Sequence, residues 1–357
     1  MEKVCVFCGQ RPLEKTREHV IPKWLIELTG DPKRFAFFGH YKGSNDLKEM
    51  HLIFDQFTFP ACEKCNKGFD ELEALAKLVV IDLLKENPLD SKDINLLLTW
   101  LDKVRIGLWL GSLFYNNPLG IDPNFYINQG TSTRDRMMII YKNRIKQKRL
   151  NFIGIHHVFR MLPICYTLII NNYAITNIAK IFLLSKGFGL AIPNHEYVLT
   201  SRGNLIMFKP GSQKINYPLV DITFDKNCTE FYQLILEKPF LGKILPKLHT
   251  KHKKKVFINE KSGIGKIFYL KDRDLIEYPR KKTKNWIPPS LDMSFLEFFR
   301  LIGMQTLEIQ NHYFIKGSRM FDSKLEPEFK KQKAFALSIN NILLERLRNR
   351  DFEEFKK

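Results

Sequence analysis

Two Cys-x-x-Cys pairs, Cys5/Cys8 and Cys62/Cys65, constrain this chain more than any other feature. Each pair can close a tight knuckle, and together they can place four thiolates tetrahedrally around one metal ion, with zinc the natural match for an all-sulfur set. A redox role needs only one such pair, and a disulfide pair needs an oxidising compartment. Met1-Glu2-Lys3 leads straight into the first knuckle with no secretory leader, so a reducing, cytoplasmic setting is expected. A closed four-cysteine site holds a fold together and does no chemistry. Cys165 and Cys228 stand apart and are expected as free, buried thiols.

The rest of the chain reads as alternating helical and extended segments. Gly9 follows the first knuckle, where a tight turn needs its backbone freedom. Pro22 opens a short helix through Leu28 that stops at Gly30. Residues 31–58 mix turn signals with aromatic-rich stretches and leave their structure open. Phe69, Leu72, Leu75, Ala76, Val79, Val80 and Leu83 recur at helical spacing, which predicts a helix ending near Asn87-Pro88. A second helix is predicted from Ser91, as its N-cap, to Tyr115, before Asn116-Asn117-Pro118 breaks it. Strands are predicted at 137–141, 152–155, 164–170, 180–184, 205–208 and 256–258, and helices at 293–302 and 333–347. The expected class is α+β in two domains, 1–88 and 89–357, divided between the two helices.

The chain of 357 residues carries a net charge of +19. An excess of this size calls for a polyanionic partner, nucleic acid or an anionic membrane surface. The apolar run Ile164–Ile170 is too short to cross a bilayer, so no membrane span is expected; nucleic acid, and no membrane, is the expected partner. Residues 134–149 and 243–284 hold +16 of the excess, so the basic surface lies mostly outside the cysteine region. Within the second stretch, Lys253, Lys254, Lys255 and Arg280, Lys281, Lys282 are candidate phosphate grips, with Trp286 nearby for base stacking. His156-His157 has no cysteine or acid cluster beside it and reads as a packing or surface pair.

Between the knuckles lies Glu18-His19-Val-Ile-Pro22-Lys-Trp24, and the second knuckle continues as Cys65-Asn66-Lys-Gly68-Phe69 to Glu73. Adjacent residues on an extended segment point to opposite faces, so Glu18 and His19 can serve two different sides. This combination resembles the HNH endonuclease family, in the branch that opens with a zinc knuckle. The resemblance covers residues 3–75, about a fifth of the chain. It implies an N-terminal ββα-metal module with a structural zinc on Cys5, Cys8, Cys62 and Cys65, fused to a larger mixed α/β domain. It further implies that His19 is the general base of phosphodiester hydrolysis, and that Glu18 and Asn66 hold a catalytic magnesium or manganese ion. DNA is the preferred substrate, with a 5′ phosphate as product, and restriction or anti-phage defence the expected setting.

The match has departures. The middle asparagine of the signature has no counterpart, and His40, Asn45, His51, Asp55 and Gln56 are the candidates to orient the His19 ring. Lys67 stands where the branch often has a second asparagine and is a candidate phosphate contact. Glu73 is expected to make a structural contact from its helix. Two other functions stay open: an RNA-cleaving nuclease, and a zinc-stabilised nucleic-acid-binding protein whose nuclease site has decayed. Cutting both strands calls for two modules, so a homodimer or an activating partner protein is also expected.

Overall fold

The computed structural model describes residues 4–12, 14–42, 47–115, 120, 122–123, 125–155, 164–180, 183–184, 192–200, 203–213, 227–236, 258–271, 274–282, 286–317 and 326–349. Its N-terminal part is a two-stranded ribbon with helices folded onto it. Strand β1 (Lys15–His19) runs antiparallel to β4 (Thr58–Cys62), with Lys15 opposite Cys62 and His19 opposite Thr58. Helix α1 (Lys23–Leu28) starts after Pro22, as its fixed φ favours. A hairpin of β2 (Phe35–Lys42) and β3 (Leu47–Ile53) is inserted between the ribbon strands, which settles the open stretch of the sequence. After β4 come α2 (Glu63–Lys67) and α3 (Asp70–Leu84), so the predicted helix holds and a shorter one precedes it.

Helix α4 (Ser91–Tyr115) is the element the rest packs around. Its cap is Asp90 and not Ser91. Asp90 Oδ1 accepts the Lys92 and Asp93 amides at 2.7 and 3.0 Å, while Asp93 Oδ2 accepts the Asp90 amide at 3.0 Å, a reciprocal box. Most of α4 is buried on every side, which marks a helix enclosed between two layers. One stripe, Lys103, Gly107 and Gly111, faces the ribbon. A Cβ on Gly107 would come within 2.6 Å of Val20 Cγ1, and one on Gly111 within 2.6 Å of Phe59 Cζ. Gly107→Ala should therefore destabilise the protein by about 1–3 kcal/mol through overpacking, less up to about 1 kcal/mol of helix propensity regained. A shift in the denaturation midpoint checks it.

The opposite stripe of α4 lies on an eight-stranded sheet. Its strands run β13 (Asp274–Glu277), β12 (Ile264–Lys271), β11 (Cys228–Ile235), β5 (Asp135–Asn143), β8 (Tyr173–Lys180), β7 (Cys165–Ile170) and β6 (Leu150–Ile153), all antiparallel. The eighth, β14 (Ser290–Leu291), pairs in parallel with the end of β5. Alternation sorts the side chains. Met138, Ile140, Tyr166, Leu168 and Phe231 join the cluster around α4, whereas Met137, Ile139, Cys165, Ile169 and Tyr232 join one with Phe298 and Ile302. Those last two belong to α6 (Phe295–Gly317), which α7 (Glu326–Asn349) flanks. Strands β5, β7 and β8 are thus covered on both faces, and nearly every residue in them is buried. A separate hairpin joins β9 (Ile192–Thr200) to β10 (Gly203–Gln213), and α5 (Ile127–Gly130) is a single turn.

A polar seam crosses the apolar interface between α4 and the sheet. Arg136 donates to Asn95 Oδ1 at 3.2 Å, Thr99 Oγ1 at 3.0 Å and Asp102 Oδ2 at 3.4 Å, and Arg105 pairs with Asp102 at 2.9 Å. These α4 residues are spaced to share one face, and the sheet supplies the partners.

Some expectations need correcting. The strand predicted at 180–184 is β8, which ends at Lys180, and Leu183 and Leu184 form a turn. Asp135 closes that turn by accepting the Leu184 amide at 2.8 Å. Ile258 is irregular, while Val256 and Phe257 lie outside the described residues, as do His156, His157, Lys253, Lys254 and Lys255. Cys165 is a buried free thiol as expected, whereas Cys228 is only half-buried. One apolar cluster takes in residues from both sides of position 88, among them Cys5, Leu83, Leu89, Trp100, Ile140 and Tyr278. No helix among the described residues is long and apolar enough to cross a membrane.

Candidate metal centre and histidine site

The four knuckle cysteines converge. Their sulfur atoms all lie within 4.8 Å of one another. A tetrahedral thiolate site with metal–sulfur bonds of about 2.3 Å has sulfurs roughly 3.8 Å apart, and Cys8 Sγ lies 3.8 Å from Cys62 Sγ. The four residues are placed to hold a metal ion, in an arrangement compatible with structural zinc. The first knuckle closes by the Gly9 amide donating to Cys5 O at 2.8 Å. Gly9 has φ +75°, and a Cβ there would meet the Tyr126 ring at 2.2 Å, so the position admits only glycine.

Donors surround the sulfurs. The Cys62 amide donates to Cys5 Sγ at 3.2 Å, and Asn128 Nδ2 lies 3.9 Å from Cys65 Sγ. Burial pushes the Cys5 thiol up, but the backbone amides of Cys62, Cys8 and Phe7 outweigh it and bring it below the ordinary range. Burial, with Cys5 and Cys8 beside it, pushes the Cys62 thiol up to about 12. Helix α5 backs the knuckle, since the Ile127 and Asn128 amides donate to Val6 O and Phe7 O at 3.2 and 2.9 Å. Nothing in the cysteine spacing announced this distant clamp.

His19 sits at the other end of the ribbon. Four residues of strand separate the positions opposite Cys62 and opposite Thr58, about 13 Å at 3.3 Å per residue. Its Nε2 lies 3.0 Å from the backbone carbonyl oxygen of Asp55 and 3.7 Å from Asp55 Oδ1. A carbonyl only accepts, so in the neutral ring the tautomer that fits has its hydrogen on Nε2 and its lone pair on Nδ1. The ring is a quarter exposed. Asp55 is held in turn: its amide donates to Pro32 O at 3.1 Å, and the Phe54 amide to Arg34 O at 3.3 Å. Among the candidates to orient His19, the structure brings Asp55 to the ring, by its main chain. Gln56 and His51 are exposed, Asn45 lies outside the described residues and so does the His40 side chain.

Glu18 points the other way, as strand alternation requires. Its Oε1 accepts from Lys103 Nζ at 2.6 Å, and the same ammonium donates to Glu73 Oε1 at 2.5 Å. Glu73 Oε2 accepts from the indoles of Trp24 and Trp100 at 3.1 and 3.3 Å. Lys103 is 1% exposed, against 13% and 17% for the two carboxylates. Burial pulls the Lys103 ammonium down, but the Glu73 and Glu18 charges more than offset it and its pKa ends above the ordinary lysine value. Burial raises the Glu18 carboxyl, and Lys103 only partly opposes it. The Glu73 charge adds to burial in raising Glu18, while both carboxylates together hold the Lys103 ammonium up.

The remaining predicted residues are dispersed. Asn66 is half-buried in α2, and no hydrogen bond or ion pair joins its side chain to Glu18 or His19 among the described residues. Lys67 pairs with Glu63 at 2.5 Å on the exposed side of α2. Arg280 and Lys281 are exposed, and Lys282 lies 3.3 Å from Asp82 and 3.7 Å from Asp93, at the start of α4. Gly107, which packs on Val20 beside His19, is fourteen residues further along α4 than Asp93, about 20 Å away. Among the described residues no hydrogen bond or ion pair joins the 280–282 stretch to His19. Trp286 is buried, 1% exposed, and offers no stacking face. Among the described residues, the four cysteines are the one cluster of histidine, cysteine or acidic side chains placed to hold a metal ion. Comparison of the chain with family models, curated proteins and solved structures returned no match to any of them.

Proposed function

We propose that this chain is an HNH-type endonuclease that hydrolyses phosphodiester bonds, with DNA as its first substrate and zinc as the ion of the four-cysteine centre. The observation that carries this reading is the His19 ring, held by its Nε2 hydrogen on the Asp55 carbonyl at 3.0 Å, on a ribbon whose far end bears the cysteines. On this reading the Asp55 main-chain carbonyl does for His19 what the missing middle asparagine would do, and many residue types could supply it. His19 Nδ1 takes a proton from the attacking water, the water oxygen bonds to phosphorus, the bond from phosphorus to the 3′ oxygen breaks, and that oxygen takes a proton from solvent water. The products are a 5′ phosphate and a 3′ hydroxyl. Magnesium or manganese, the ion that the resemblance implies, finds Glu18 Oε1 already taken by Lys103.

That last observation favours a second reading, a zinc-stabilised protein that binds nucleic acid without cutting it. Plasmid, DNA oligonucleotide and RNA substrates with added Mg2+ or Mn2+ separate the two. His19→Ala should lower cleavage by about 10²–10⁴-fold while leaving binding intact. Asp55→Ala keeps the carbonyl and should cost far less. Tight binding with no cleavage by the wild type would establish the second reading, and cleavage of RNA alone would change the substrate.

A further inference from the structure

We infer that Lys103 is the built-in cation of the Glu18–Glu73 pair and that this pair takes no divalent ion in the native chain. The inference rests on the endonuclease reading only in that the resemblance would have given Glu18 a metal.

The geometry is that of an occupied cation seat. One ammonium, almost wholly buried, donates at 2.6 and 2.5 Å to carboxylates from two different elements, β1 and α3. It also lies 5.7 and 5.9 Å from the centroids of the Phe7 and Phe69 rings, which stack on each other 4.9 Å apart. Ring faces attract a cation but donate no electron pair to a hard metal ion. The second Glu73 oxygen is taken up by two indole N–H groups, so that carboxylate has its acceptor capacity used from both sides. A magnesium or manganese ion is smaller, needs about six oxygens near 2.1 Å and keeps several waters. While Lys103 Nζ holds Glu18 Oε1 and Glu73 Oε1, that shell cannot assemble on the pair; without the ammonium, the freed carboxylate oxygens and water are its donors.

Lys103 also reaches the seat from outside the resemblance. It comes from α4, beyond residue 75, on the stripe with Gly107 and Gly111 that brings the helix close to the ribbon. The close approach that those glycines allow is what lets a lysine stem fill this space.

Manganese binding to the metal-loaded protein, read by electron paramagnetic resonance, tests the inference without any cleavage assay, so a chain that never cuts nucleic acid can still pass or fail it. Wild type and Glu18→Gln should bind Mn2+ equally. Lys103→Met should gain one Mn2+ site per chain, at least tenfold tighter than any in the wild type, and Glu18→Gln in that background should remove it. Should Lys103→Met fail to fold alone, refolding it with Mn2+ should recover soluble protein. Wild-type Mn2+ binding that disappears in Glu18→Gln would overturn the inference. So would a folded Lys103→Met that gains no site.

Discussion

Cys62→Ser, or stripping the metal with a chelator, should release the N-terminal ribbon while leaving the large sheet folded. Zinc binding in small all-cysteine or mixed sites contributes about 10–16 kcal/mol of apparent folding free energy. Here the knuckles hold both ends of one structure, because Cys62 closes β4 and Cys5 lies in the loop that packs on it. The Val6 amide donates to Pro60 O at 3.0 Å, and α5 hangs on Val6 and Phe7. Amide exchange should accelerate across residues 4–12 and 58–67, whereas β5, β7 and β8, covered on both faces, should keep their protection. Metal content measured beside exchange should fall from one ion per chain to none. The metal must displace protons from thiols, one of them pushed up to about 12. Its affinity should therefore weaken as the pH falls. Equal exchange rates with and without metal would remove its structural role.

Lys103→Met should cost about 3–5 kcal/mol, the usual loss when one partner of a buried ion pair is removed and the other is left uncompensated. Two carboxylates are stranded here, each less than a fifth exposed. Converting both to glutamine in the same chain should recover much of the loss, since the charge and not the methylene stem is what the site lacks. The pH dependence has a definite sign. Burial already raises the Glu18 carboxyl with the ammonium in place, and removing the cation raises it further. A group with a raised folded pKa favours folding while protonated, and that advantage is lost as pH climbs through the folded value. The deficit of Lys103→Met should thus be smallest in acid and widen toward neutrality. In the wild type the Lys103 pKa is raised, so its pairing should persist at neutral pH and fail only above the ordinary lysine range. Denaturation midpoints at several pH values check both statements.

The seam between α4 and the sheet poses a different problem. Arg136 and Arg105 share one Asp102 in the core, so the seam carries more positive than negative charge. Hydrogen bonds to Asn95, Thr99 and Gln233 take up much of the remaining donor capacity of Arg136. Such a seam fixes how α4 lies on the strands more firmly than apolar packing alone, because every misplacement strands a charge.

What the sequence determined by itself is local. Cysteine spacing identified four ligands, because a knuckle is a turn with its sulfurs already in place. Pro22 and the apolar spacing after Phe69 placed α1 and α3, and the run from Ser91 to Tyr115 gave α4 its full length. Alternation told that Glu18 and His19 diverge. Tertiary structure decided where each of them goes. His19 meets a main-chain carbonyl, a group every residue carries, so nothing in the sequence could single out Asp55 from its neighbours. Glu18 meets a lysine 85 positions away, and Lys103 looks in the sequence like any charge on a long helix. Only the packing of α4, buried on all sides and thinned to glycine where it crosses the ribbon, reveals that this lysine points inward. Buried charges find partners across the fold because isolation from water is too costly, and that requirement acts through space and not along the chain.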